Sequence, residues 1–323
     1  ILEEGINEAG SISSFIAAGT SYSNHSINMI PFFIYYSMFG FQRVGDFVWA
    51  AADMRTKGFL LGGTAGRTTL AGEGLQHQDG HSHLMASTIP NLKAYDPAFA
   101  YEIAVIIHDG LMRMYDKQED VLYYITLENE NYIQPNMPEN VEKGIIQGMY
   151  LLKPSEKSKL NVQLLASGSM VNEVLEAGKL LKSDWGINSS IWSVTSFSEL
   201  HREAEDKKRW NTLHPDKEDK PSYVGSKLQS ENGPVIAVSD YVKLVAEQIA
   251  PYIDCYFAAL GTDGFGRSET REELRTFFEV NRYYIVLTAV ESLKNLELVD
   301  NAVVKKVIAD YNLDPEKPNP IQV

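Results

Sequence analysis

Three of the seven histidines fall within one short stretch, Gln76-His77-Gln78-Asp79-Gly80-His81-Ser82-His83. Imidazole titrates near neutral pH, so such a cluster could relay protons or bind a metal. The spacing fits none of the tight zinc patterns, and the single cysteine, Cys255, lies far along the chain. An active-site loop is therefore preferred to a metal site, with a solvated loop as the bland reading. A second candidate is Glu8, in Glu3-Glu4-Gly5-Ile6-Asn7-Glu8-Ala9-Gly10. Glu4 and Glu8 are four apart and are expected to share a helix face, with no Lys or Arg before Arg43 to relieve the repulsion locally. Small and apolar residues follow, which predicts a buried helix and a carboxyl with a raised pKa. The bland reading is an exposed acid at a helix start, where the dipole favours it. A third candidate is the aromatic run from Pro31 to Phe41. Most of its rings read as core, because strands of this type pack on both faces. Tyr36 and Phe39, at its carboxyl end, are the rings placed to stack on a flat heteroaromatic ligand.

These residues need elements to hold them. Apolar runs of strand length are expected at residues 30–36, 58–63, 92–95 and 121–126, with helical spacing at 39–54 and 99–114 and a long polar loop at 67–83. Two prolines and an asparagine mark residues 132–138 as a linker. Beyond it, strands are expected at 162–166, 191–194 and 235–238. Helices are expected after Ser167-Gly168-Ser169 and over 241–249, 272–278 and 301–311, while the polar stretch 200–232 reads as a surface excursion. Strands alternating with helices predict an α/β protein of two doubly wound, mostly parallel-sheet domains, residues 1–137 and 138–323. Ligands of such sheets sit beyond the carboxyl ends of strands, so the loops after Tyr36, Gly63 and Thr126 are the first places to look.

Composition narrows the class. The net charge of −14 argues against nucleic-acid binding. The one basic run, Lys207-Lys208-Arg209, is flanked by acids and reads as a solvated helix face. No apolar stretch reaches membrane-spanning length, and a lone cysteine suits a reducing cytoplasm. The chain opens Ile1-Leu2-Glu3-Glu4, with neither an initiator Met nor a signal core, and is expected to be the carboxy-terminal part of a longer protein.

Taken in order, Leu2–Gly10, Tyr35–Arg43, Gly62–His83, Thr195-Ser196-Phe197, Arg209-Trp210-Asn211 and Gly261–Ser268 resemble the transketolase-like thiamine-diphosphate enzymes. In detail they resemble the single-chain, homodimeric bacterial pyruvate dehydrogenases. The resemblance implies a partial pyrimidine-binding domain followed by a transketolase C-terminal-like domain. It implies that Glu8 hydrogen-bonds the ring nitrogen of the cofactor's aminopyrimidine, that Tyr36 and Phe39 pack around that ring, and that His77 faces the substrate. Asp79, His81 and His83 would line the same pocket. It further implies thiamine diphosphate with Mg2+, pyruvate as substrate, and a dihydrolipoyl acetyltransferase component as partner of a cytoplasmic homodimer. The Gly-Asp-Gly motif that holds magnesium and diphosphate in the family has no counterpart here, so the metal ligands are expected upstream and none within the chain. Activity of the chain alone is not expected. The alternative is a non-catalytic dimerisation or assembly module.

Overall fold

The computed structural model describes every residue of the chain except residues 75 and 157. The first half runs α1 (Glu8–Gly19), α2 (Ser21–Asn24), β1 (Phe32–Tyr36), α3 (Ser37–Asp53), β2 (Phe59–Gly63), α4 (Ser82–Ser87), β3 (Leu92–Tyr95), α5 (Ala100–Leu111) and β4 (Leu122–Leu127). Its four strands are all parallel, in the order β1-β2-β4-β3. Tyr36 pairs with Gly63, and Gly63 with Leu127, so three strand ends open onto one edge. No loop follows Tyr36, because α3 starts at the next residue. Gly62 permits this closeness: a Cβ there would stand 2.9 Å from the Ser37 Cβ and 2.6 Å from the Tyr124 hydroxyl.

Two expectations for this half fail. The helix α1 begins at Glu8, with the Asn7 side chain accepting from the Gly10 amide at 3.1 Å, so Glu4 lies outside it and shares no helix face with Glu8. Only Ile12, Phe15 and Gly19 of α1 are buried, so the helix is half-solvated. The aromatic strand is not core on both faces either. It is the sheet's edge, and while Phe33 and Tyr35 point inward, Phe32, Ile34 and Tyr36 are 45%, 68% and 46% exposed.

Residues 128–140 carry no regular element and lead into the second half. There the order is α6 (Glu142–Gln147), β5 (Met149–Lys153), β6 (Asn161–Ala166), α7 (Met170–Trp185), β7 (Asn188–Val194), α8 (Phe197–Leu213), α9 (Tyr223–Gln229), β8 (Val235–Val238), α10 (Leu244–Glu247), β9 (Phe257–Leu260), α11 (Arg271–Phe277), α12 (Arg282–Asn295) and α13 (Asn301–Asp310). The strands lie in the order β5-β7-β6-β8-β9, with β5 antiparallel at one edge and the rest parallel. Each sheet has an apolar cluster on either face, as expected when crossover helices cover both. The protein is thus α/β, with two sheets in series. The stretch 200–232 is no mere excursion: α8 and α9 bury Leu200, Ala204, Val224 and Leu228 and leave their charged faces to solvent. The helix expected over 241–249 shrinks to α10, because Tyr241 turns instead toward the first half.

The two halves are joined by buried polar contacts. Glu102 of α5 accepts from the Ala98 and Phe99 amides at 2.6 and 3.1 Å, and from Tyr150 and Ser193 of the second half at 2.7 Å each. Asp240, after β8, accepts the amides and hydroxyls of both Thr68 and Thr69. The Arg67 guanidinium donates to the carbonyls of Thr262 and Gly264. A buried polar group left without partners would cost ~1–3 kcal/mol, so this density of bonds fixes how the halves meet.

Candidate active site

The end of β1 and the first turns of α3 build an aromatic patch. Tyr36 and Phe39 stand with ring centroids 6.0 Å apart. The His77 imidazole meets both edge-on, at 6.1 and 5.2 Å. One helical turn beyond Phe39, the Arg43 guanidinium lies over the Phe39 ring at 4.0 Å, and its Nη1 donates to Glu8 Oε1 at 2.5 Å. Glu8, Tyr36, Phe39 and His77 therefore form one connected patch through Arg43. Aligned i,i+4 positions on α3 bring Phe39 and Arg43 together, but only folding brings Glu8 to them.

The surroundings of Glu8 differ from the expected apolar wall. Its side chain is 20% exposed and paired with a guanidinium. The reason is geometric: α1 starts at Glu8, so the carboxyl leaves the helix end toward α3 rather than lying on the helix's apolar face.

The histidine loop is not a solvated loop. Thr68, Thr69, Gln78 and Asp79 are buried, and Gln78 donates to the carbonyls of Leu70 and Arg267 at 2.7 and 2.9 Å. Its three histidines go three ways. His77 joins the aromatic patch, with Nε2 3.8 Å from Glu73 Oε2 and a buried Nδ1 that has no partner. His81 contacts the Gln42 amide, Nε2 to Nε2, at 2.8 Å, one position before Arg43. His83 faces the other way, into the seam between the halves. There its Nε2 meets Thr126 Oγ1 at 3.0 Å, and its ring stands edge-on to Tyr241 at 4.8 Å. Burial pushes the His83 pKa down, against opposing pulls from Asp96 and Asp79. Asp79 is fully buried, and its Oδ1 accepts the His81 and Ser82 amides at 3.0 Å each.

The tentative pocket of Asp79, His81 and His83 thus divides. His81 lies near the patch, whereas Asp79 shapes the loop and His83 fills the seam. The cause is the start of α4 at Ser82, which rotates successive side chains by about 100° each. Among the described residues, no group of three or more His, Cys, Asp or Glu side chains is arranged to hold a metal. Arg43 and Gln42 were not singled out in the sequence. Arg43 carried a signal, as the first cation after the acidic amino terminus and four residues from Phe39.

The patch offers a paired carboxylate, an exposed tyrosine ring, a part-buried phenylalanine ring and an imidazole at a parallel-sheet edge, groups that could handle protons on a flat ligand. Comparison with known proteins gives the context. A family profile described as the pyruvate dehydrogenase E1 component middle domain matches residues 1–135, and one described as a transketolase-like C-terminal domain matches residues 148–281. The pyruvate dehydrogenase E1 component of Pseudomonas aeruginosa is 58% identical over 323 residues, covering 99% of this chain and 37% of the relative. That of Escherichia coli K12 is 54% identical over 322 residues, covering 99% of this chain and 36% of the relative. The chain therefore spans little more than a third of the length of these relatives. Among solved structures, a transketolase from Leishmania mexicana matches with a TM-score of 0.66 at 19% identity, over 90% of this chain and 37% of that one. A split-gene transketolase, titled an inactive β4 tetramer, matches with a TM-score of 0.62 at 16% identity, over 90% of this chain and 83% of that one. These two show the fold. The chain belongs to the pyruvate dehydrogenase E1 component family, spanning its middle domain and its transketolase-like C-terminal domain.

Proposed function

We propose that this chain is the proton-handling part of a thiamine-diphosphate-dependent pyruvate dehydrogenase, which decarboxylates pyruvate oxidatively and passes the acetyl group to lipoyl groups. The observation that carries this reading is the continuous patch of Glu8, Arg43, Phe39, His77 and Tyr36 at the open edge of the first sheet. An exposed and a part-buried ring with an imidazole edge beside them fit a flat aminopyrimidine, and the carboxylate fits a ring nitrogen that must gain and lose a proton. Thiamine diphosphate, when bound, supplies the electron sink that decarboxylation needs. Glu8 would hold a proton at the ring nitrogen, which requires its carboxyl to leave Arg43. Tyr36 and Phe39 would orient the ring and exclude water from it. His77, whose Nδ1 has no partner, would present a ring nitrogen to the substrate carboxylate. Mg2+ and the diphosphate would be held by the part of the relatives that this chain does not cover.

The exposed row Phe32, Ile34 and Tyr36 runs along the edge strand into this patch, and it supports a homodimer that covers the apolar row and encloses the site. A dihydrolipoyl acetyltransferase partner and a bacterial cytoplasmic setting complete the reading. The transketolase of similar span, titled inactive, favours a second reading in which this part of the family assembles without catalysing.

Pyruvate-dependent dye reduction with thiamine diphosphate and Mg2+ separates the two readings. The 323-residue chain is expected to give no turnover alone and to regain it when the remaining portion of a relative is added in trans. Turnover by the chain alone would refute the partial-site reading, and no recovery in a reconstituted full-length assembly would favour the assembly module.

A further inference from the structure

The seam behind the histidine loop contains carboxyl oxygens with nothing to bind. Glu128 follows β4, and both its carboxyl oxygens are buried without a hydrogen-bond partner. Asp96, which follows β3, uses Oδ1 as an acceptor for Thr126 Oγ1 at 2.6 Å and Tyr241 OH at 3.1 Å. Its Oδ2 is also buried and unpartnered. These oxygens converge above Gly168, where an added Cβ would collide with Glu128 Oε1 and stand 3.0 Å from Asp96 Oδ2. Two buried carboxylates that face each other repel, whereas a carboxylic acid and a carboxylate form a strong hydrogen bond.

Most other charged groups around them are engaged, although Asp79 Oδ2 and Arg67 Nε are also buried without a partner. Arg275 of α11 binds Glu130 and Glu173. Asp240 accepts from Thr68 and Thr69, and Asp79 caps the start of α4. His83 and Tyr241 lie against Asp96, and Tyr132 donates to the Ala98 carbonyl. Among the described residues no Lys or Arg pairs with either carboxyl, so a proton is the counter-ion closest at hand.

We propose that Glu128 and Asp96 share one proton, forming an acid–carboxylate clasp that holds the inner end of the histidine loop against the second domain and loosens as the solution becomes alkaline. The two hydroxyl bonds that Asp96 Oδ1 accepts favour the charged form of Asp96, which leaves the proton with Glu128. Burial, followed by Asp96 and Asp240, pushes the Glu128 pKa well up, and Arg275 opposes this. A raised folded-state pKa gives stability that is complete below the ordinary glutamate value of ~4.3 and is lost as pH climbs toward the folded value. Thr126 and His83 both lean on Asp96, so the loop that carries His77 would loosen with it. This inference does not depend on the catalytic reading.

The test uses the 323-residue chain with Glu128→Gln, which keeps the shape and a donor but cannot ionise, and with Asp96→Asn. Infrared spectra at neutral pH are expected to show a protonated-carboxyl stretch that disappears in Glu128→Gln. The unfolding midpoint of the wild-type chain should fall between about pH 6 and about pH 9, by about 3 °C more than that of Glu128→Gln. Asp96→Asn should shift the same infrared band. An unchanged band in Glu128→Gln, or the same pH slope in both proteins, overturns the clasp. Should either variant fail to fold, the absence of any protonated-carboxyl band in the wild-type chain at neutral pH overturns it equally.

Discussion

His77 and His83 sit on one loop, six residues apart, in opposite physical settings. His77 stands against the exposed Tyr36 ring and the part-buried Phe39 ring, with one nitrogen unpartnered and the other loosely facing Glu73. His83 is sealed between Thr126, Tyr124 and Tyr241, with its pKa pushed down by burial. The first arrangement leaves bonding capacity unused at an open strand end, as a binding site must. The second spends its capacity on joining two domains. Residue type and spacing made the two histidines look alike; what separates them is which side of α4's first turn each falls on.

The largest effect should come from the open side. In a reconstituted, active enzyme, Glu8→Ala is expected to lower kcat by about 10²–10⁴-fold, the usual range for a lost proton-transfer group. Thermal stability should barely move, because exposed ion pairs contribute about 0–1 kcal/mol. A fall in melting temperature as large as the activity loss would make Glu8 structural and erase the contrast.

On the sealed side the balance should reverse. His83→Ala leaves a cavity between two tyrosines and removes one of the partners of Thr126, for an expected cost of about 2–4 kcal/mol by denaturant unfolding. His77→Ala, read the same way, should stay within about 0.5 kcal/mol. Equal costs at the two positions would show that the aromatic patch is core.

The smallest effect concerns pH. The folded-state pKa of His83 is depressed, so protonation favours the unfolded chain. Its contribution is present above the ordinary histidine value of ~6.5 and is lost as pH falls through the window below it. Thermal melts across that window should slope more steeply for the wild-type chain than for His83→Gln. Parallel slopes would mean that the seam admits water around the ring.

Much of the fold was legible because burial imposes period. The strands at β3 and β8 matched to the residue, and the parallel pattern followed from helix-length spacing between them. The elements that were overlooked each lacked a clean period. Strand β5 is a short antiparallel edge with a bulge. Strand β9 is only four apolar residues, part-buried throughout. Helix α12 buries Ile285, Val286, Ala289, Val290, Ser292 and Leu293 on a broad face and so shows no narrow stripe. At the site, Glu8, Tyr36, Phe39 and His77 were legible by type, while the division of Asp79, His81 and His83 between patch and seam was not.

The sequence alone determined which side chains are candidates for chemistry and most of the segments that form strands and helices, because both depend on composition and local spacing. Tertiary structure decided the partners. Arg43 reaches Glu8 across 35 positions, and Glu128 and Asp96 both approach Gly168 of the other half. Contacts of that range depend on how two sheets are placed relative to each other, and no local pattern encodes the placement.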